Sequence, residues 1–143
     1  MTMTQILPHQ LWLGHADDVR DFPRIFEAGI QASVQLAAEE PVLQAPRELI
    51  HVRIPLLDGP GNRAEFLTLA IQTVAALLTL RVPTLVCCGA GMSRAPCIAA
   101  VALAMTTGEP PAQALRRIGE QRPCDVSPGL WDEVIDLAAT LLA

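Results

Sequence analysis

The chain has 143 residues, 51% of them hydrophobic, enough for one core that buries roughly two-thirds of the unfolded surface. Fifteen acidic residues against ten basic ones, all arginine, leave a formal charge of −5, which disfavours nucleic acid or an anionic membrane as a partner. No stretch is apolar enough to span a bilayer, and residues 1–10 lack the charged start and apolar middle of an export signal, so a cytoplasmic protein is expected.

In chain order, residues 10–13 form a short apolar run that predicts a strand, and residues 17–28 predict a helix broken at Pro23. A second strand is expected over 32–36. A third is expected over 49–55, where Ile50, Val52 and Ile54 alternate with His51 and Arg53. Between residues 64 and 80, Phe66, Leu67, Ala70, Ile71, Val74, Leu77 and Leu78 recur at helical spacing and are expected to pack into the core. Thr84-Leu85-Val86-Cys87 predicts a buried strand, and 95–105 the helix after it. Pro111 opens a further helix to Gln121, and residues 129–142 predict the last. Strands alternating with helices predict an α/β fold, a largely parallel central sheet of about four to five strands flanked by helices. Residues 1–143 are expected to form a single domain with its functional loop at the carboxyl ends of the strands.

Cys88-Gly89-Ala90-Gly91-Met92-Ser93-Arg94 carries the most chemical information. A strand that turns through two glycines into a helix start aims backbone N–H groups at one point, which suits a tetrahedral anion. Cys88 lies beside the positive end of that helix, where thiolate is favoured over thiol. Arg94 can fold back and offer two coplanar donors to two phosphoryl oxygens. Gly89, Ala90, Gly91, Met92 and Ser93 are the candidate substrate-binding residues between them. A Cys-x5-Arg spacing alone is weak, and a tight turn that merely buries a cysteine competes with it; the strand, double glycine and helix favour the anion site.

Cleaving a phosphate ester needs a proton donor for the leaving oxygen. Asp58, at the end of a predicted strand and the start of the turn Gly59-Pro60-Gly61-Asn62, is the candidate, with Glu65 a weaker rival. The cysteines at 87, 88, 97 and 124 match neither a zinc spacing nor a Cys-x-x-Cys redox motif, and His9, His15 and His51 make no pattern with them. No metal and no cofactor are assigned. Cys87 and Cys97 are expected to be core residues, and Cys124 is left open.

Cys87-Cys88-Gly89-Ala90-Gly91-Met92-Ser93-Arg94-Ala95 resembles the signature His-Cys-x-x-Gly-x-x-Arg-Ser/Thr of the cysteine-dependent protein tyrosine phosphatases of the dual-specificity type. The likeness runs along nearly the whole chain. Leu7-Pro8-His9-Gln10-Leu11-Trp12-Leu13-Gly14 is similar to that family's opening strand, Ala28-Gly29-Ile30-Gln31-Ala32-Ser33-Val34 to its passage into the second strand, and Arg122-Pro123 with Pro128-Gly129 to its C-terminal end. The resemblance implies Cys88 as nucleophile, Arg94 as phosphate clamp and Asp58 as general acid, with a phosphocysteine intermediate. Two positions depart from the signature: Cys87 stands for the histidine, and Ala95 for the hydroxyl residue that assists release of the thiolate. A higher thiol pKa than is usual for the family and slow hydrolysis of the intermediate are expected from these, with Ser93 the hydroxyl available to substitute in part.

The expected substrate is a phosphorylated protein or small phosphoester, phosphotyrosine first and phosphoserine or phosphothreonine as further candidates. Phosphate, sulfate or vanadate are the expected ligands. A catalytically weak or idle phospho-binding protein is the alternative, and a rhodanese-like sulfurtransferase is less favoured.

Overall fold

The computed structural model describes residues 2–142. Its strands are β1 (Thr4–Gln5), β2 (Leu11–Gly14), β3 (Ala32–Ala37), β4 (Ile50–Leu56) and β5 (Thr84–Cys87). They form one sheet in the order β1-β2-β5-β3-β4, parallel throughout except for the antiparallel β1–β2 pair. β1 was not expected, because two polar residues carry no alternation; its position is fixed by pairing Thr4 with Leu13 and Gln5 with Trp12.

The helices are α1 (Phe22–Glu27), α2 (Ala64–Thr79), α3 (Arg94–Thr107), α4 (Pro111–Gln121) and α5 (Pro128–Leu141). The helix expected over 17–28 is divided at Asp21 rather than at Pro23. A 3-10 turn over Asp18–Arg20 ends there, the Asp21 carboxylate accepts from the Arg24 amide, and Pro23 sits in the first turn of α1. Proline lacks an amide hydrogen and has a helical φ, so it starts this helix instead of breaking it. None of the described helices is long and apolar enough to cross a membrane.

β3 and β5 are buried along their whole length, so both faces of the sheet centre must be covered. Side chains alternate across a strand. Val86 therefore enters the larger core with Val34, Ile71, Val74 and Ile98, while Leu85 and Cys87 enter the smaller one with Val19, Ile25 and Ile30. α3 is buried from Arg94 to Ala104, and its many alanines let α2, α4 and α5 pack close around it. Because β2, β3, β4 and β5 run the same way, the loops that follow them gather at one edge of the sheet. That edge carries residues 15–17, 38–40, 57–63 and 88–93.

Candidate functional site

The loop from Cys88 to Arg94 is held by its carbonyl groups. Gly89 O accepts from the Ala16 amide at 3.0 Å and Met92 O from the Asp125 amide at 2.8 Å. Gly91 O accepts from Nε of the buried Arg122 at 3.1 Å. In a trans peptide the N–H of the next residue points the opposite way from the carbonyl. The amides of Ala90, Met92 and Ser93 thus turn toward the concave side of the loop, and none has a protein acceptor among the described residues. Gly91 makes this path possible. Its φ is +73°, and a Cβ there would stand 2.6 Å from Arg122 Nη2 and 2.7 Å from Gly14 O.

Helix α3 begins at Arg94 with no side-chain cap and no acidic residue in its first turn, so its positive end is left for a ligand. The Ala95 amide points at Cys88 Sγ, 3.4 Å away. Cys88 is 2% exposed and borders the larger core, yet its side chain also lines a cleft of about 200 Å³.

Arg94 is 5% exposed, and its donors can be followed individually. Nη1 and Nη2 each donate to one carboxylate oxygen of Glu39 at 2.6 Å, and Nη1 also donates to Leu56 O at 2.9 Å. A guanidinium has five N–H groups in a plane. The two left over, Nε–H and the outer Nη2–H, lie on one edge, and Nε is buried without a partner among the described residues. That edge is the one suited to a two-point grip on an anion. The ion pair holds the Glu39 carboxyl down at about 2 from 4.5, chiefly through the hydrogen bond from Arg94, and raises Arg94 in turn. Gly89 gives the pair its space, since a Cβ there would stand 2.9 Å from Glu39 Oε2 and 3.1 Å from Arg94 Nη2.

Asp58 follows β4 and lines the same cleft. Its Oδ1 accepts from the Ser93 hydroxyl at 2.6 Å, and that hydroxyl oxygen accepts from the Ser127 amide at 2.9 Å. Ser93 therefore ties the acid to the loop and is turned to Asp58, not to the sulfur; it does not take the place of the hydroxyl that Ala95 lacks. Asp125, from the segment between α4 and α5, also lines the cleft, as do Ala90 and Met92. None of the lining residues is aromatic.

Cys88, Arg94 and Asp58, with Ala90, Met92 and Ser93, are thus brought to one cleft, while Gly89 and Gly91 shape its backbone. Glu65 is not part of it: it is exposed in the first turn of α2 and paired with Arg63 at 2.7 Å. Cys87 points into the smaller core and burial pushes its thiol up. Burial, with a contribution from Asp58, pushes Cys97 up to about 12. Cys124 is half-buried, its sulfur 3.3 Å from Arg122 O, and burial raises it as well. No histidine lines the cleft, and His51 pairs with the Ser33 hydroxyl at 2.8 Å. Among the described residues no group of three or more His, Cys, Asp or Glu is placed to hold a metal ion. Glu39, Arg122 and Asp125 were not singled out from the sequence as site residues. For Glu39 a signal existed, a carboxylate just past an apolar strand, where ligands of parallel sheets gather.

No family model and no curated protein sequence matches the chain. Solved structures do. Human DUSP28 superposes with a TM-score of 0.81 at 25% identity, over 99% of this chain and 95% of that one. A mouse putative dual specificity phosphatase complexed with zinc tungstate gives 0.84 at 23% identity, over 97% and 87%. The human tyrosine phosphatase-like serine/threonine/tyrosine-interacting protein gives 0.77 at 21% identity, over 99% of each. The chain has the fold of the cysteine-dependent phosphatases of the dual-specificity type.

Proposed function

We propose that residues 1–143 act as one protein phosphatase domain that hydrolyses phosphate monoesters through a phosphocysteine. Cys88 is the nucleophile, Arg94 the phosphate clamp and Asp58 the general acid. The observation that carries this reading is the unpartnered Nε edge of Arg94, which shares a cleft with the Cys88 sulfur and with loop amides that have no protein acceptor. Three such groups around one small volume match the tetrahedral dianion of a phosphoester.

In the first step the Cys88 thiolate attacks phosphorus, the bond to the leaving oxygen breaks, and Asp58 gives that oxygen its proton. Oδ1 of Asp58 is engaged by Ser93, so Oδ2 is the oxygen that carries the proton. In the second step Asp58, now ionised, takes a proton from water as it attacks phosphorus, and the P–S bond breaks to return thiolate and inorganic phosphate. The loop amides and Arg94 hold the three equatorial oxygens in both steps. The Ala95 amide stabilises the departing sulfur in place of a hydroxyl. Phosphotyrosine is the first substrate, with Ala90 and Met92 the apolar surface beside its ring, and phosphoserine and phosphothreonine follow.

A phospho-binding protein with little turnover is the second reading, favoured by Ala95, which leaves the sulfur without a hydroxyl partner. An assay with para-nitrophenyl phosphate decides between them. Turnover is expected in the wild type and none in Cys88→Ser; in Asp58→Ala the loss is small for this good leaving group and reaches about 100- to 10,000-fold when an alkyl phosphate is the substrate. Turnover that survives Cys88→Ser contradicts the assignment; anion binding without turnover in the wild type favours the second reading.

A further inference from the structure

The charge around the cleft is out of balance for its ligand. Of the two arginines at the loop, Arg94 is paired with Glu39, and Arg122 is 1% exposed behind Gly91, on the far side from the cleft. Asp18, 7% exposed against Gly14, adds a negative charge on that rear side. The segment between Cys88 and Arg94 contributes no other charge. What lines the opening is Asp58, which holds its proton when a substrate binds, and the carboxylate of Asp125, both of them exposed. Asp58 is partly satisfied by Ser93, but the Asp125 side chain makes no hydrogen bond or ion pair among the described residues; only its backbone is fixed, by the amide donated to Met92 O. A phosphoester dianion brings two more negative charges to this spot.

We propose that Asp125 is a specificity-determining residue, which selects phosphopeptides carrying an arginine or lysine next to the phosphorylated residue and disfavours those flanked by acids. This rests on the phosphatase reading of the same cleft. The anchored backbone of Asp125 keeps its carboxylate at the rim, close enough to the phosphoryl site to meet the neighbouring residue of a bound peptide. A cation there offsets the repulsion between the rim and the phosphate; an acidic neighbour adds to it. The chain's formal charge of −5 has the same sign and draws basic peptides at longer range.

The test compares kcat/KM for three phosphotyrosine peptides of one length, with arginine, glutamine or glutamate beside the phosphotyrosine. Wild type, Asp125→Asn and Cys88→Ser are each measured at low and high ionic strength, with para-nitrophenyl phosphate as a substrate without flanks. The expected order is arginine, glutamine, glutamate, with about tenfold between the extremes at low salt, the scale of one near charge pair. The gap narrows as salt is raised, and in Asp125→Asn it falls to about twofold or less at low salt, since Asp58 carries its proton in the step that kcat/KM reports. Equal constants for the three peptides, or a gap unchanged in Asp125→Asn, overturn the proposal while leaving the phosphatase reading intact. A loss in Asp125→Asn that is the same for all peptides and for para-nitrophenyl phosphate also overturns it, since Asp125 would then act in the chemistry. Turnover of para-nitrophenyl phosphate by Cys88→Ser removes the phosphatase reading and this inference with it.

Discussion

Two single side chains act on the groups proposed to do the chemistry. Ala95 offers Cys88 only its amide, 3.4 Å from the sulfur. Breakdown of the phosphocysteine should be slower than its formation, giving a burst of product in rapid mixing. Ala95→Ser supplies the hydroxyl and is expected to raise steady-state turnover several-fold while the burst shrinks. Glu39 acts on Arg94. Its carboxyl is held at about 2 against 4.5, so the pair stabilises the folded chain fully above about pH 4.5, and that contribution fades as pH falls toward 2. Glu39→Gln should therefore flatten the fall of the thermal midpoint between those pH values. A midpoint that falls equally steeply in wild type and variant would show that the ion pair does not matter to the fold.

Loops, more than helices or strands, decide the geometry. The acid-bearing loop after β4 is closed on itself, Asn62 bonding the Leu57 amide at 2.8 Å and Leu57 O at 2.9 Å. It is moored to α5, where Glu133 Oε2 accepts from the Gly61 amide at 2.9 Å, and to the Cys88–Arg94 loop through Ser93. Ser93→Ala and Glu133→Ala should loosen Asp58 and lower kcat/KM more for poor leaving groups than for good ones, read as a steeper dependence of kcat/KM on leaving-group pKa. Gly91→Ala forces a Cβ against Gly14 O at a positive φ and should cost about 1–3 kcal/mol, measured as a lower unfolding midpoint. These elements were unequally legible in the sequence. The strand, glycine turn and helix around Cys88 are contiguous, so local pattern suffices, and Asp58 stood out at a strand end before a Pro-Gly turn. Glu39 lies 55 residues from Arg94, and Arg122 lies 31 from Gly91. Strand order brings the first pair together and the packing of α4 against α3 the second, and no local period encodes either. Asp21 hid for a different reason: Pro23 reads as a breaker until the helix is seen to start beside it.

At the scale of the whole molecule, the parallel sheet gathers the ends of β2, β3, β4 and β5 on one edge, so that Gly14, Glu39, Asp58 and Cys88 meet although they are scattered in sequence. The alternation within β5 and beyond it separates the two adjacent cysteines, Cys87 into one core and Cys88 toward the cleft. An oxyanion that binds only the folded chain should stabilise it by about 2.7 kcal/mol at 100 times its Kd, seen as a raised unfolding midpoint that is lost in Arg94→Ala. The most direct measurement is a crystal structure of the protein with vanadate. Vanadium is expected to be bonded to Cys88 Sγ, with two of its oxygens on Nε and Nη2 of Arg94 and Glu39 retained on the other edge of the guanidinium. Vanadate bound elsewhere, or in the cleft with the sulfur turned away from it, would rule out Cys88 as the nucleophile.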